Sequence, residues 1–160
     1  MVKGAMVIGA CGSGKSTFAR ALATKLGCSY IEMDKHVWLD NNSARQESEW
    51  VASIQQEIDK SKFFVMDGAT PWAVHFTEHF ETVIIVDAPT EERVRRVNSR
   101  EKASPEFLDF ILHYEDNPTC SLMGIISSRI YDENFLKTLK CRVLRVDGTK
   151  PLEENIRLIY

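Results

Sequence analysis

Five short apolar runs punctuate the chain: Ala5 to Ile8, Tyr30 to Met33, Phe63 to Met66, Val83 to Val86 and Arg142 to Val146. Each has the length and the β-branched or aromatic content of a strand. Between them apolar residues recur at helical spacing. Phe18, Leu22 and Leu26, closed by Gly27, predict a helix over 16–26. The same period predicts helices over 49–60, 91–100 and 105–114, and a last one from Leu152 to the end. Thr90-Glu91-Glu92-Arg93, after Pro89, has the acidic first turn of a helix start. Strands interleaved with helices predict an α/β fold, a five-stranded parallel sheet with flanking helices. Two stretches break the pattern. Residues 40–48 are polar, and residues 99–129 mix charges, prolines and a helical period where a strand would be due. Both are expected as flaps over a site, and in a parallel sheet that site lies beyond the carboxyl ends of the strands.

A length of 160 residues suits one compact domain, and 44% hydrophobic with 27% charged residues is an ordinary globular balance. The formal charge of −3 gives no global field for a polynucleotide, so a nucleic-acid partner is not favoured; the basic residues crowd only Arg93 to Arg100. No run approaches the roughly 20 apolar residues of a bilayer span, and Met1-Val2-Lys3-Gly4 opens straight into the first strand. A cytoplasmic protein without membrane contact is the expectation. Cys11, Cys28, Cys120 and Cys141 are scattered, and the histidines show no metal-ligand spacing.

The strongest chemical signal is Gly9-Ala10-Cys11-Gly12-Ser13-Gly14-Lys15-Ser16, the pattern G-x-x-x-x-G-K-S between the first strand and the first helix. A loop that turns its N–H groups inward around a polyphosphate must visit backbone regions closed to side chains with a Cβ, hence the glycines. Lys15 would reach β- and γ-phosphate oxygens, Ser16 would offer a hydroxyl to Mg²⁺, and Thr17 continues into a helix whose positive dipole end faces the same anion. The chain therefore reads as a binder of Mg²⁺ and a nucleoside triphosphate. No N-K-x-D guanine signature occurs, so ATP is the default donor. Cys11 reads as a small loop filler.

Asp34, directly after the second strand, is the candidate base that orients and deprotonates a phosphoryl acceptor, with Glu32 a weaker second. Asp67-Gly68 ends a very apolar strand in the manner of a Walker B carboxylate that holds Mg²⁺; Asp87 closes its strand similarly. Asp67 is preferred because Gly68 would let a substrate approach the backbone. His36, Trp38, Trp72 and His75 are candidate walls of an acceptor pocket, whereas Trp50, with Val51, Ile54 and Ile58, reads as core. Arg96 and Arg100 share a helix face and suit a developing phosphoryl charge.

Taken in order, the Gly9 to Thr17 loop, Asp34, Asp67-Gly68 and the Arg96-x-x-x-Arg100 pair after Asp87-Ala88-Pro89 resemble the small P-loop kinases of the adenylate kinase and shikimate kinase type. Met33-Asp34-Lys35-His36-Val37-Trp38 is similar, more narrowly, to the topology-modulation-type P-loop kinases. The resemblance implies one kinase domain over 1–160, with an acceptor-binding segment about 35–62 and a lid about 99–129. It also implies Arg96 against the adenine, Arg100 and Arg129 on phosphates, and the Asp147-Gly148-Thr149 turn beside the base. The nucleoside monophosphate motif D-G-F-P-R is here Asp67-Gly68-Ala69-Thr70-Pro71, without its arginine, and the shikimate-binding glycine pair is absent. The expected activity is an ATP- and Mg²⁺-dependent phosphotransferase acting on a small-molecule acceptor, nucleotides and nucleosides included. The alternatives are a polynucleotide 5′-hydroxyl kinase and a nucleotide-switched ATPase or binding module without an acceptor.

Overall fold

A computed structural model describes residues 1–40, 42–100 and 102–159. Its main sheet has five parallel strands: β1 (Lys3–Ile8), β2 (Ser29–Glu32), β3 (Phe63–Asp67), β4 (Phe80–Asp87) and β7 (Arg142–Asp147), in the spatial order β2-β3-β1-β4-β7. The central strands are near-continuous apolar runs because both faces of the sheet are covered. Side chains alternate between the faces. Met6 and Ile8 of β1 join Phe64, Met66, Trp50, Ile54 and Ile58 on one side. Ala5 and Val7 join Phe18, Leu22, Val65 and Ile84 on the other. Full burial of each such Leu, Ile or Phe contributes about 1.5–3 kcal/mol, which makes this two-sided core the main support of the sheet.

Helix α1 (Lys15–Leu26) follows the phosphate loop and packs its Phe18 and Leu22 face on the sheet. Its N-cap is Gly14 at φ 95°, with no side-chain cap, so the first-turn N–H groups are left for another partner. Gly27, at φ 62°, closes it by donating to Ala23 and Thr24 carbonyls. Helices α3 (Glu47–Lys60), α5 (Thr90–Arg100), α6 (Pro105–Leu112) and α8 (Leu152–Arg157) match the expected positions to within a few residues. The last ends at Arg157, and Tyr160 lies outside the described residues.

The structure adds elements that the periodicity did not predict. Met33 ends no strand: it opens the short helix α2 (Met33–Val37). One turn, α4 (Thr70–Ala73), runs into a 3₁₀ helix over Val74–His79. Beyond the expected helix, residues 102–129 carry a hairpin that the sequence pattern did not predict. There α6 packs on α5 through Val97, Phe110, Ile111 and Cys120, and an antiparallel hairpin pairs β5 (Ser121–Leu122) with β6 (Ile125–Ile126). Helix α7 (Arg129–Thr138) then begins at Ser128, whose hydroxyl accepts from the Tyr131 N–H. Half of the expected acceptor segment 35–62 is the helix α3, whose Trp50, Ile54 and Ile58 are buried, Trp50 in the core as expected. Among the described residues no helix is long and apolar enough to cross a membrane.

Candidate active site

The parallel register brings the ends of the strands level: Val7 lies beside Asp67 and Ile84, Glu32 beside Asp67, and Asp87 beside Asp147. The phosphate loop rises from the end of β1 across this edge. Gly12 stands at φ 79°, and a Cβ there would meet the Arg93 carbonyl at 2.7 Å, so a larger residue is excluded by conformation and by space together. Ser13 Oγ is fully buried and, among the described residues, has no hydrogen-bond partner.

The loop separates two cavities. The outer one, about 360 Å³, has Gly12, Ser13, Gly14 and Thr17 on one side and Arg96, Gly148, Lys150 and Asn155 on the other. Arg96 ties these sides together. Its guanidinium donates to the carbonyls of Gly12 (3.2 Å), Ser13 (3.0 Å) and Gly148 (2.7 Å), and to Glu92 (2.8 Å). The Gly148 N–H donates to the Asp87 carbonyl at 2.6 Å, and a Cβ on Gly148 would collide with the Ser13 carbonyl. Arg100 lines this outer cavity at the end of α5.

The inner cavity, about 180 Å³, is reached from the same loop through Gly9, Cys11 and Lys15. Asp34 and Trp38 come from α2 and the residue after it, and Thr70 and Trp72 from α4. Trp38 donates its Nε1–H to Asp34 Oδ1 at 3.0 Å and meets Trp72 edge-on at 6.0 Å. Asp34 is exposed as a residue, yet burial is the largest influence on its carboxyl and raises its pKa; Lys15 and the Trp38 hydrogen bond oppose the shift, and Asp67 and Glu32 add to it. On the far wall stands Asp132 of α7, 3% exposed, accepting from Thr70 Oγ1 and from the Tyr114 hydroxyl, both at 2.6 Å. Burial raises its pKa too, against the hydrogen bonds from Thr70 and Tyr114 and the charges of Arg129 and Lys15. Leu122, Met123 and Ile125 of the hairpin, with Phe107 and Phe110 of α6, supply apolar lining. Met123 holds φ 52°, at a cost of roughly 1–2 kcal/mol for a side chain of its kind.

In the first turn of α1, Ser16 Oγ donates to Asp67 Oδ2 at 2.5 Å, and Tyr30 donates to Asp67 Oδ1 at 2.7 Å. A hydroxyl and a carboxylate converging beside the phosphate loop form an all-oxygen donor set of the kind that suits Mg²⁺. The loop's inward glycines, the uncapped helix N-terminus and the orphaned Ser13 hydroxyl suit a polyphosphate in the same way.

Several expected placements differ. Gly68 approaches Met33, whose side chain a Cβ would meet at 2.8 Å, and so serves packing and not a substrate. Asp87 is occupied: Arg129 Nη1 donates to it at 2.6 Å, while Arg129 Nη2 holds Glu115 at 3.0 Å. Arg129 therefore sits among carboxylates, outside the inner cavity. Arg93, read as part of a basic cluster, is buried under the loop, donating to the carbonyls of Ala88 and Ile111 and to Thr90 Oγ1. His36 bonds Ser53 and His75 packs edge-on against Trp50, so neither lines the acceptor side. Glu32 is paired with Lys35 at 2.9 Å. Asp132, Thr70 and the hairpin were not anticipated; the Ser128 N-cap followed by Asp132 in the first turn was the available signal for α7.

A family described as AAA domain matches residues 6–109, and the chain belongs to it. It is 26% identical over 168 residues to an uncharacterized protein, YqaC, of Bacillus subtilis strain 168, covering 98% of this chain and 94% of that one. It is also 26% identical to an adenylate kinase isoenzyme 6 homolog of Caenorhabditis elegans, covering 96% of this chain and 85% of the relative. Among solved structures, the shikimate kinase from Bacteroides thetaiotaomicron superposes with a TM-score of 0.63 at 13% identity, covering 98% of this chain and 96% of that one. The fold is that of the small P-loop kinases of the nucleoside monophosphate and shikimate kinase type.

Proposed function

We propose that this member of the AAA-domain family is an ATP- and Mg²⁺-dependent phosphotransferase acting on a small-molecule acceptor. The observation that carries the reading is the pair of cavities on either side of one phosphate loop, the inner one combining Lys15 with Asp34. The outer cavity is the place for the nucleoside, bounded by Arg96 and Gly148, and the loop from Gly9 to Thr17 for the triphosphate. The names of the relatives, adenylate and shikimate kinases, support transfer to a small compound.

Ser16 and Asp67 would hold Mg²⁺, which when bound neutralises charge on the phosphate oxygens. Tyr30 keeps the Asp67 carboxylate oriented. Asp34 takes up the acceptor hydroxyl, aligns its oxygen with the terminal phosphorus and accepts its proton as the new P–O bond forms and the bond to the ADP oxygen breaks. Lys15 balances the negative charge on the oxygens in transfer. The apolar lining keeps water, the competing acceptor, away. Arg100 and Arg129 would contribute to this charge balance only after exchanging the partners they hold here.

The test is ADP release from Mg·ATP across nucleosides, nucleotides, sugars and oligonucleotides. Acceptor-dependent release is expected. Hydrolysis that ignores every acceptor would reject the phosphotransferase, and salt-sensitive preference for oligonucleotides would replace it with a polynucleotide kinase.

A further inference from the structure

The charges that line the inner cavity are weighted toward the negative. Among the described residues that line it, Lys15 is the cation, and it belongs to the phosphate loop; the remaining charges are the carboxylates of Asp34 and Asp132. In this structure the arginines of the neighbouring elements lie outside the lining, Arg100 at the outer cavity among them. Arg129 is held by Asp87 and Glu115, Arg93 is buried on backbone carbonyls, and Arg96 spans the loop and Gly148. The other walls are the indoles of Trp38 and Trp72, the rings of Phe107 and Phe110, and the hairpin. A phosphate or carboxylate brought here would face two carboxylates and lose its hydration against hydrocarbon, with Lys15 already committed to the donor. Recognition of such an anion calls for a fixed guanidinium or an equivalent set of donors.

The roof points the same way. Met123 occupies a left-handed position of a two-residue hairpin turn that Asn or Gly fills at ease, so an apolar side chain is retained there against local preference. A ring or compact hydrocarbon body would lie between that roof and the tryptophan wall, its hydroxyl toward Asp34.

We propose that the acceptor is a hydroxyl compound that carries no anionic group and presents a compact apolar or aromatic body to Trp38, Trp72 and the Leu122–Ile125 hairpin. This rests on the phosphotransferase reading above and narrows its substrate class.

The experiment uses the full chain and acceptor pairs that differ in one anionic group: adenosine and AMP, cytidine and CMP, benzyl alcohol and 4-(hydroxymethyl)benzoate. ADP release with Mg·ATP gives kcat/KM. Tryptophan fluorescence with Mg²⁺ and a non-hydrolysable ATP analogue gives acceptor affinity. The uncharged member is expected to be favoured tenfold or more in at least one measure. Leu122→Arg, which adds a guanidinium to the roof, should narrow or invert that preference. Met123→Asn should weaken the uncharged acceptor several-fold while the thermal midpoint holds or rises, which separates loss of the roof from loss of the fold. Equal or better use of the anionic members overturns the proposal. So does the absence of any response to either member in protein that still takes up Mg·ATP. Failure to take up Mg·ATP would instead remove the phosphotransferase reading, and this inference with it.

Discussion

Replacing Arg93 with Met tests whether the core under the phosphate loop depends on a buried cation. The substitution keeps most of the alkyl volume and deletes a guanidinium that is 1% exposed. That group donates to Ala88 O at 3.1 Å, Ile111 O at 3.3 Å and Thr90 Oγ1 at 2.9 Å, lies 3.5 Å from Glu115, and sits 5.1 Å from the centre of the Tyr114 ring. Met can satisfy neither carbonyl, and a buried acceptor left unpaired costs about 1–3 kcal/mol. Against this stands the relief of desolvation, which is the main influence lowering the Arg93 pKa. Glu115 keeps Arg129 as a partner. The net loss is therefore about 2–4 kcal/mol, or roughly 5–15 °C in thermal midpoint for a chain of this size. The assay is thermal and urea unfolding beside Arg95→Met, because Arg95 is exposed and, among the described residues, bonds Glu92 alone. Arg95→Met should leave the midpoint unchanged. If the two variants unfold together, the buried guanidinium is not a structural support and the reasoning fails.

Asp34→Asn should lower kcat by about 10²- to 10⁴-fold while calorimetry finds Mg·ATP uptake intact; an unimpaired variant would take Asp34 out of the mechanism. Gly12→Ala places a Cβ 2.7 Å from the Arg93 carbonyl at φ 79°, so Mg·ATP affinity should fall at least tenfold with the fold kept, and normal uptake would contradict the loop geometry. The folded-state pKa of Asp132 is raised, so its favourable contribution to stability is fully present below the unperturbed value of 3.8 and is lost as pH rises through the raised one. Asp132→Asn should flatten the urea-stability profile across that window; an unchanged profile would mean that the carboxyl does not titrate in the folded protein as described.

The sheet was legible because strands buried on both faces leave apolar runs, and α1 because Phe18, Leu22 and Leu26 repeat at its period before a closing glycine. The loop was legible because its chemistry is contiguous. The acceptor side was only half so. Asp34 and Trp38 lie four residues apart on one turn, but Thr70, Tyr114 and Asp132 meet through hydrogen bonds across 62 and 18 residues, and no local period encodes that convergence. Arg93 and Arg96 show a different limit. Sequence places both in one basic cluster, and only the packing of α5 under the loop reveals that their guanidinium groups are spent on backbone carbonyl oxygens. Helix α7 was hard to read because it carries few apolar anchors, with only Phe135 and Leu136 among its buried apolar residues, and its Ser128 cap borders a segment of prolines and charges.

Arg96 makes the phosphate loop and the turn at Gly148 parts of one mechanical unit, since the same guanidinium grips backbone from both. If the outer cavity receives the nucleoside as proposed, an engineer who wished to change which base is accepted could not remodel that turn in isolation, because any displacement would be transmitted to the phosphate loop. Freedom for such redesign resides at Lys150, which is half-exposed and held to Glu154, whereas Asn155 is buried and donates to the Asp147 carbonyl at 2.6 Å, a second tie on the same turn.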